Sequence, residues 1–144
     1  MGPLQNARQY QRVQRMIAEA LNAGAKLVSG GTRPTDLPAG TEDGYFVSPT
    51  VLRNVAPGMP IACEEVFGPV LVVLPFRDEE QALALANGTR FGLAGAVWTT
   101  NPARAHRVAH RMRAGTVWIN SYKFISVMSP FGGFGESGFG RSSG

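Results

Sequence analysis

Glu64-Glu65-Val66-Phe67-Gly68-Pro69-Val70-Leu71-Val72-Val73-Leu74-Pro75-Phe76 is the stretch from which the fold can be read. Gly68 and Pro69 make a turn that carries two carboxylates and an aromatic ring. Behind it, Val70 to Phe76 is apolar without alternation apart from Pro75, too short for a helix and rich in β-branched side chains. That pattern predicts a strand buried on both faces. Charged and aromatic groups at the mouth of a buried strand are well placed to build a small-molecule site. Taken alone they also describe a solvated acidic turn leading into the core.

Downstream of this strand a pattern repeats. Asp78 can cap a helix over Glu79 to Ala86, with Gln81 in the capping-box position and Gly88 beyond its end. Gly92 to Thr99 reads as a strand, Asn101 as a second cap with Pro102 at the first helical position, and Thr116 to Asn120 as a third strand after Gly115. Ala105, Val108, Ala109 and Met112 share the core side of that second helix. Strand, helix, strand, helix, strand with short links predicts right-handed crossovers and a parallel pairing. The fold class is therefore α/β: a layered open sheet, mostly parallel, with flanking helices. Ligands of such sheets collect in a crevice at the carboxyl ends of strands, which brings Asn120 to Phe131 to the edge of a site. From Pro130 to Gly144 no period is visible, and six of the 18 glycines fall between Gly132 and Gly144. By itself that tail reads as a flexible loop; beside a ligand its glycines would let the backbone come close.

Upstream, Tyr10, Val13, Ile17, Ala20 and Leu21 recur at steps of three and four and predict a helix over Gln5 to Ala23, ended by Gly24. Ala25 to Ser29 is a short strand candidate, Thr32 to Gly44 an exposed loop, and Tyr45 to Val55 an extended stretch interrupted at Pro49. Met59 to Cys63 fits a brief helical turn. Residues 1–144 are read as a single α/β domain, of which 130–144 is a Gly-rich tail.

With 44% hydrophobic and 17% charged residues the 144-residue chain suits a soluble globular protein and not a disordered one. No run approaches a bilayer span and nothing resembles a signal peptide, so a cytoplasmic protein without a membrane partner is expected. The single cysteine, Cys63, permits no internal disulfide, and two histidines leave no zinc-type cluster. Arg104, Arg107, Arg111 and Arg113 with His106 and His110 could touch phosphates, but a solvated helix face is the favoured reading and no nucleic-acid partner is expected.

The residue chemistry narrows the roles further. Glu64 and Glu65 beside Cys63 are not the electropositive neighbours that activate a thiol, so Cys63 is read as a structural residue and not a nucleophile. Adjacent carboxylates on extended or turn backbone point to different sides, a poor acid/base pair. Either alone can accept two hydrogen bonds from a vicinal diol, which is a binding role. No phosphate-loop signature occurs, and no metal ligand set is proposed.

Several segments, in order, resemble one family. Gly44-Tyr45-Phe46-Val47-Ser48-Pro49-Thr50-Val51-Leu52, Glu64-Glu65-Val66-Phe67-Gly68-Pro69-Val70, Ala86-Asn87-Gly88-Thr89-Arg90-Phe91-Gly92-Leu93, Ala114-Gly115-Thr116-Val117-Trp118-Ile119-Asn120 and Pro130-Phe131-Gly132-Gly133 are similar to motifs of the aldehyde dehydrogenase superfamily. The opening Met1-Gly2-Pro3-Leu4 and its helix are similar to the segment after that family's catalytic loop, so the match is to the C-terminal part of the catalytic domain. The resemblance implies oxidation of an aldehyde to a carboxylic acid with NAD or NADP. It implies that Glu65 holds the nicotinamide-ribose hydroxyls, Phe67 packs near the nicotinamide, Phe131 lines the substrate entrance, and Ile125 stands where many members have an aromatic wall. It also implies that the catalytic cysteine, general-base glutamate, oxyanion asparagine and dinucleotide domain lie outside this sequence. The expectation is thus a fragment with no catalytic residue of its own, inactive alone, from a homo-oligomeric enzyme. The alternative is a non-catalytic binding or assembly module derived from that domain.

Overall fold

The computed structural model describes residues 1–124 and 126–143. The chain divides into two compact units, Met1–Pro75 and Phe76–Gly144.

The first unit begins with helix α1 (Ala7–Asn22). Asn6 caps it, its side chain accepting from the Gln9 backbone N–H, and Gly24 at φ 100° takes the left-handed turn that releases the chain. Strand β1 (Lys26–Ser29) pairs antiparallel with β2 (Thr50–Arg53), and after the short helix α2 (Pro60–Cys63) strand β3 (Val70–Val72) pairs parallel with β2. Val13, Met16, Ile17 and Ala20 of α1 pack with Ala25, Val47, Leu52, Val55 and Ile61 into one core. The helical stripe read from the sequence is thus the buried face, except that Leu21 turns outward. Thr50 is the buried polar residue among the described ones: its hydroxyl donates to the Ser48 carbonyl (2.8 Å) and accepts from the Gly31 N–H (2.9 Å). Burial costs it nothing unsatisfied.

The strand after the Gly68-Pro69 turn departs from expectation. It is three residues long, and only Val70 and Val72 pack on the core, while Leu71 is 60% and Val73 46% exposed. The physical reason is that β3 has β2 on one side only among the described residues, with helical cover on one of its faces. An unbroken apolar run therefore did not mean burial on both sides here.

The second unit carries α3 (Glu79–Ala86), β4 (Phe91–Gly92), β5 (Ala94–Val97), α4 (Pro102–Arg111), β6 (Thr116–Ile119) and β7 (Phe134–Gly135). Both predicted caps form: Asp78 accepts from the Gln81 N–H and Asn101 from the Arg104 N–H. Strand β5 pairs parallel with β6 across α4, the crossover unit the spacing predicts. The strand expected over Gly92 to Thr99 is split, because β4 pairs instead with β7 in the tail. The parallel ladders are β2–β3 and β5–β6, within a mixed α/β architecture of open sheets.

The tail is built, not loose. Besides β4–β7, Phe131 and Ser142 form a two-way backbone bridge, and the Gly92 N–H donates to the Ser137 hydroxyl (3.1 Å). Arg141 donates to the Gly133 carbonyl (2.6 Å) and lies over the Phe134 ring at 4.7 Å. The glycines serve close approach to the chain's own backbone: a Cβ at Gly115 would overlap the Gly132 carbonyl.

Helices α3 and α4 are tied by ion pairs. Glu79 accepts from Arg107 (2.6 Å) and Arg104 (3.2 Å), and Glu80 pairs with Arg111. The hydrogen bond from Arg107 is the main cause that draws the Glu79 carboxyl from 4.5 to about 2. A carboxyl whose pKa is depressed by folding stabilises the fold fully above its ordinary value and loses that contribution as pH falls through the depressed one. Thermal melts are therefore expected to lose stability from pH 4.5 toward about 2, and Glu79→Gln to flatten that slope. The groups are solvent-accessible, so added salt weakens the effect. An unchanged slope in Glu79→Gln would show that other carboxyls set it.

Candidate functional site

The Glu64-to-Pro69 turn stands between α2 and β3, and its backbone is unusual. Phe67 has φ 51°, a left-handed conformation that few non-glycine residues adopt, while its ring is 70% exposed. A large apolar ring held outward on strained backbone is a feature that folding alone does not favour. Glu65 is half-buried, and among the described residues no side chain donates to its carboxylate. Acceptor and ring thus lie two residues apart at the amino end of the parallel β2–β3 pair, and the strand behind them is not the doubly buried one expected from the sequence.

The turn is gripped from α1. Gln9 donates both amide hydrogens, to the carbonyls of Val66 (2.7 Å) and Phe67 (2.9 Å), and Arg12 donates to the Glu65 carbonyl (3.0 Å). An open groove of about 810 Å³ runs along Leu4, Asn6, Gln9, Arg12 and Phe67. Sequence reasoning passed over Gln9 and Arg12. They carry no motif, and their partners lie 53 to 58 residues away.

Cys63 is half-buried, and its thiol donates to the Pro57 carbonyl (2.9 Å), an arrangement that fits a structural role. The two acidic neighbours read from the sequence remain beside it. Among the described residues no group of three or more metal-ligating side chains occurs. Arg104, Arg107 and Arg111 of α4 are spent on Glu79 and Glu80, while Arg113, beyond the helix end, reaches the Asn87 and Thr89 carbonyls.

In the second unit Phe131 is half-buried and lines a recess of about 260 Å³ with Trp118, Phe124, Ser126 and Pro130. The indole N–H of Trp118 donates to the Phe124 carbonyl (2.8 Å), and its ring meets Tyr122 edge-on at 5.4 Å. Asn120, left-handed at φ 51°, exchanges side-chain hydrogen bonds with the Thr99 backbone (2.9 and 3.0 Å) and so closes the end of the β5–β6 pair. Ile125, expected at a substrate wall, lies outside the described residues. No helix among the described residues is long and apolar enough to cross a membrane.

Comparison with known proteins gives a consistent result. The sequence model of the aldehyde dehydrogenase family matches residues 1–144. The chain is 48% identical over 143 residues to a betaine aldehyde dehydrogenase of Agrobacterium fabrum, covering 99% of this chain and 28% of that protein. It is 46% identical over 143 residues to betaine aldehyde dehydrogenase 1 of Rhizobium meliloti, covering 99% of this chain and 29% of the relative. Among solved structures, an aldehyde dehydrogenase of Mycobacterium tuberculosis complexed with NAD+ superimposes with a TM-score of 0.89 at 45% identity, over 98% of this chain and 28% of that one. The chain therefore spans less than a third of the length of these relatives.

Proposed function

We propose, on the premise that the chain belongs to the aldehyde dehydrogenase family, that it is the part of an NAD- or NADP-dependent aldehyde dehydrogenase that holds the nicotinamide end of the cofactor and lines the aldehyde entrance. In this reading the segment is the C-terminal part of the catalytic domain. The observation that carries the proposal is the Glu65–Phe67 turn, with a carboxylate to which no described side chain donates and an outward ring on left-handed backbone. A carboxylate has the two acceptor oxygens that a ribose diol needs, and the bonds are charge-assisted. The Phe67 ring supplies an apolar face beside which a nicotinamide can rest. These residues fit the group: Glu65 would hold the ribose hydroxyls and Phe67 would limit where the nicotinamide sits. When bound, the nicotinamide supplies the hydride acceptor for aldehyde oxidation. The support from relatives is that the Mycobacterium tuberculosis structure, similar over 98% of this chain, is a complex with NAD+.

Phe131, with Trp118 and Phe124 around its recess, is assigned to the aldehyde entrance, and Ile125 to its wall. The chain alone is inferred to be inactive. Its one cysteine is engaged with the Pro57 carbonyl and is followed in sequence by two carboxylates, surroundings that do not activate a nucleophile.

NAD titrated into the 144-residue chain is expected to shift the backbone resonances of Glu65 and Phe67. Glu65→Gln is expected to weaken binding about tenfold, the worth of a charge-assisted hydrogen bond. Equal affinity of Glu65→Gln and the unsubstituted chain would overturn the assignment.

A second reading, an assembly module, is favoured by the outward apolar side chains of Leu71 and Val73 on the edge strand β3. It expects self-association in concentration-dependent light scattering, reduced by Leu71→Lys. A monomer at every concentration would remove it.

A further inference from the structure

We propose that α1 is the platform that sets the geometry of the Glu65–Gly68 turn, with Gln9 and Arg12 as its positioning residues. The inference deepens the reading of that turn as a dinucleotide contact and rests on it for its functional meaning. Four consecutive residues are docked on one helix face. Arg12 holds the Glu65 carbonyl, Gln9 holds those of Val66 and Phe67, and Gly68 lies on Val13, where a Cβ would come within 2.7 Å of a valine methyl. Positions 9, 12 and 13 are spaced i, i+3, i+4 and so share a face. The Asn6 cap fixes Gln9 in turn, because its side chain accepts from the Gln9 N–H (2.9 Å).

The grip and the left-handed residue are one geometric fact. Only the φ and ψ of Phe67 lie between the carbonyls of Val66 and Phe67, since the peptide bonds themselves are rigid. In extended backbone, successive carbonyls point to opposite sides; a single amide group can bind both only when Phe67 leaves that conformation. Gln9 does bind both, and Phe67 stands at φ 51°. Its two hydrogen bonds offset the strain that a non-glycine residue bears there. Releasing them frees Phe67 to return to extended backbone, which swings its ring and re-aims the neighbouring carboxylate.

The test uses the 144-residue chain by nuclear magnetic resonance, comparing it with Gln9→Met, which keeps length and helix propensity but removes both donors. The strong intraresidue HN–Hα contact that marks positive φ at Phe67 is expected to be lost in Gln9→Met, while the resonances of Val13 to Ala20 stay in place. NAD affinity is expected to fall about tenfold, the worth of one to two net hydrogen bonds. Should Gln9→Met unfold the chain, Arg12→Met is expected to show the same loss in part and Arg12→Lys, which keeps a donor, to restore it. A left-handed Phe67 persisting in folded Gln9→Met, or in Arg12→Met where the first variant cannot be used, would overturn the platform. If NAD leaves Glu65 and Phe67 of the unsubstituted chain unmoved, the dinucleotide reading fails, while the marker at Phe67 still decides whether α1 sets the turn.

Discussion

Leu52→Ala is expected to lower the stability of the first unit by about 2–5 kcal/mol, the range for deleting a fully enclosed leucine side chain. Leu52 has 0% of its surface exposed and sits on β2, the strand between β1 and β3. It packs in the cluster formed by Val13, Met16 and Ile17 of α1, so the cavity would open between helix and sheet. Both partners are held by other contacts, which leaves the space little freedom to collapse. A domain of this size has few kilocalories in reserve, and the loss would bring it near its unfolding midpoint. The measurement is urea unfolding followed through the Tyr10–Tyr45 ring pair, whose centroids are 5.9 Å apart in this unit. A midpoint shift worth less than about 1 kcal/mol would mean that the core relaxes more than this packing suggests.

Gly115→Ala is expected to detach the tail of the second unit. The added methyl would occupy the place of the Gly132 carbonyl, and backbone cannot rotate away as a side chain can. Overpacking of this kind costs about 1–3 kcal/mol or more. It falls on contacts that hold little else, namely two-residue β7 and the Phe131–Ser142 bridge. Cleavage after Arg141 by trypsin is expected to accelerate, because Arg141 would lose its hold on the Gly133 carbonyl. Gly140→Ala is the control: a Cβ there meets nothing within 4 Å and its φ lies outside the left-handed range. It should leave the cleavage rate unchanged. Equal acceleration in both variants would mean that tail flexibility, and not close backbone approach, explains the glycines. The result bears on function through Phe131, which lines its recess and immediately precedes Gly132.

Local chemistry wrote much of this fold in plain view. The caps at Asp78 and Asn101, the left-handed Gly24, the stripe Val13–Ile17–Ala20 and the β5–α4–β6 crossover each need only residues close in sequence. The tail was not legible for the opposite reason. Pairing Phe134 with Gly92 and Phe131 with Ser142 is a choice among distant or patternless partners, and glycine signals permission without naming what comes close. The face of β3 left uncovered was equally hidden, because an apolar run states a preference for burial and not the presence of a neighbour.

At the candidate site the same division holds. The sequence by itself determined the chemical groups available: the Glu65 acceptor, the Phe67 ring and a cysteine followed by two acids. Only tertiary structure decided that Gln9 and Arg12, more than fifty residues earlier, hold the backbone on which that acceptor and ring are displayed. Side-chain type is a local property, whereas the direction in which a turn presents it depends on hydrogen bonds that exist only once a remote helix has packed against it.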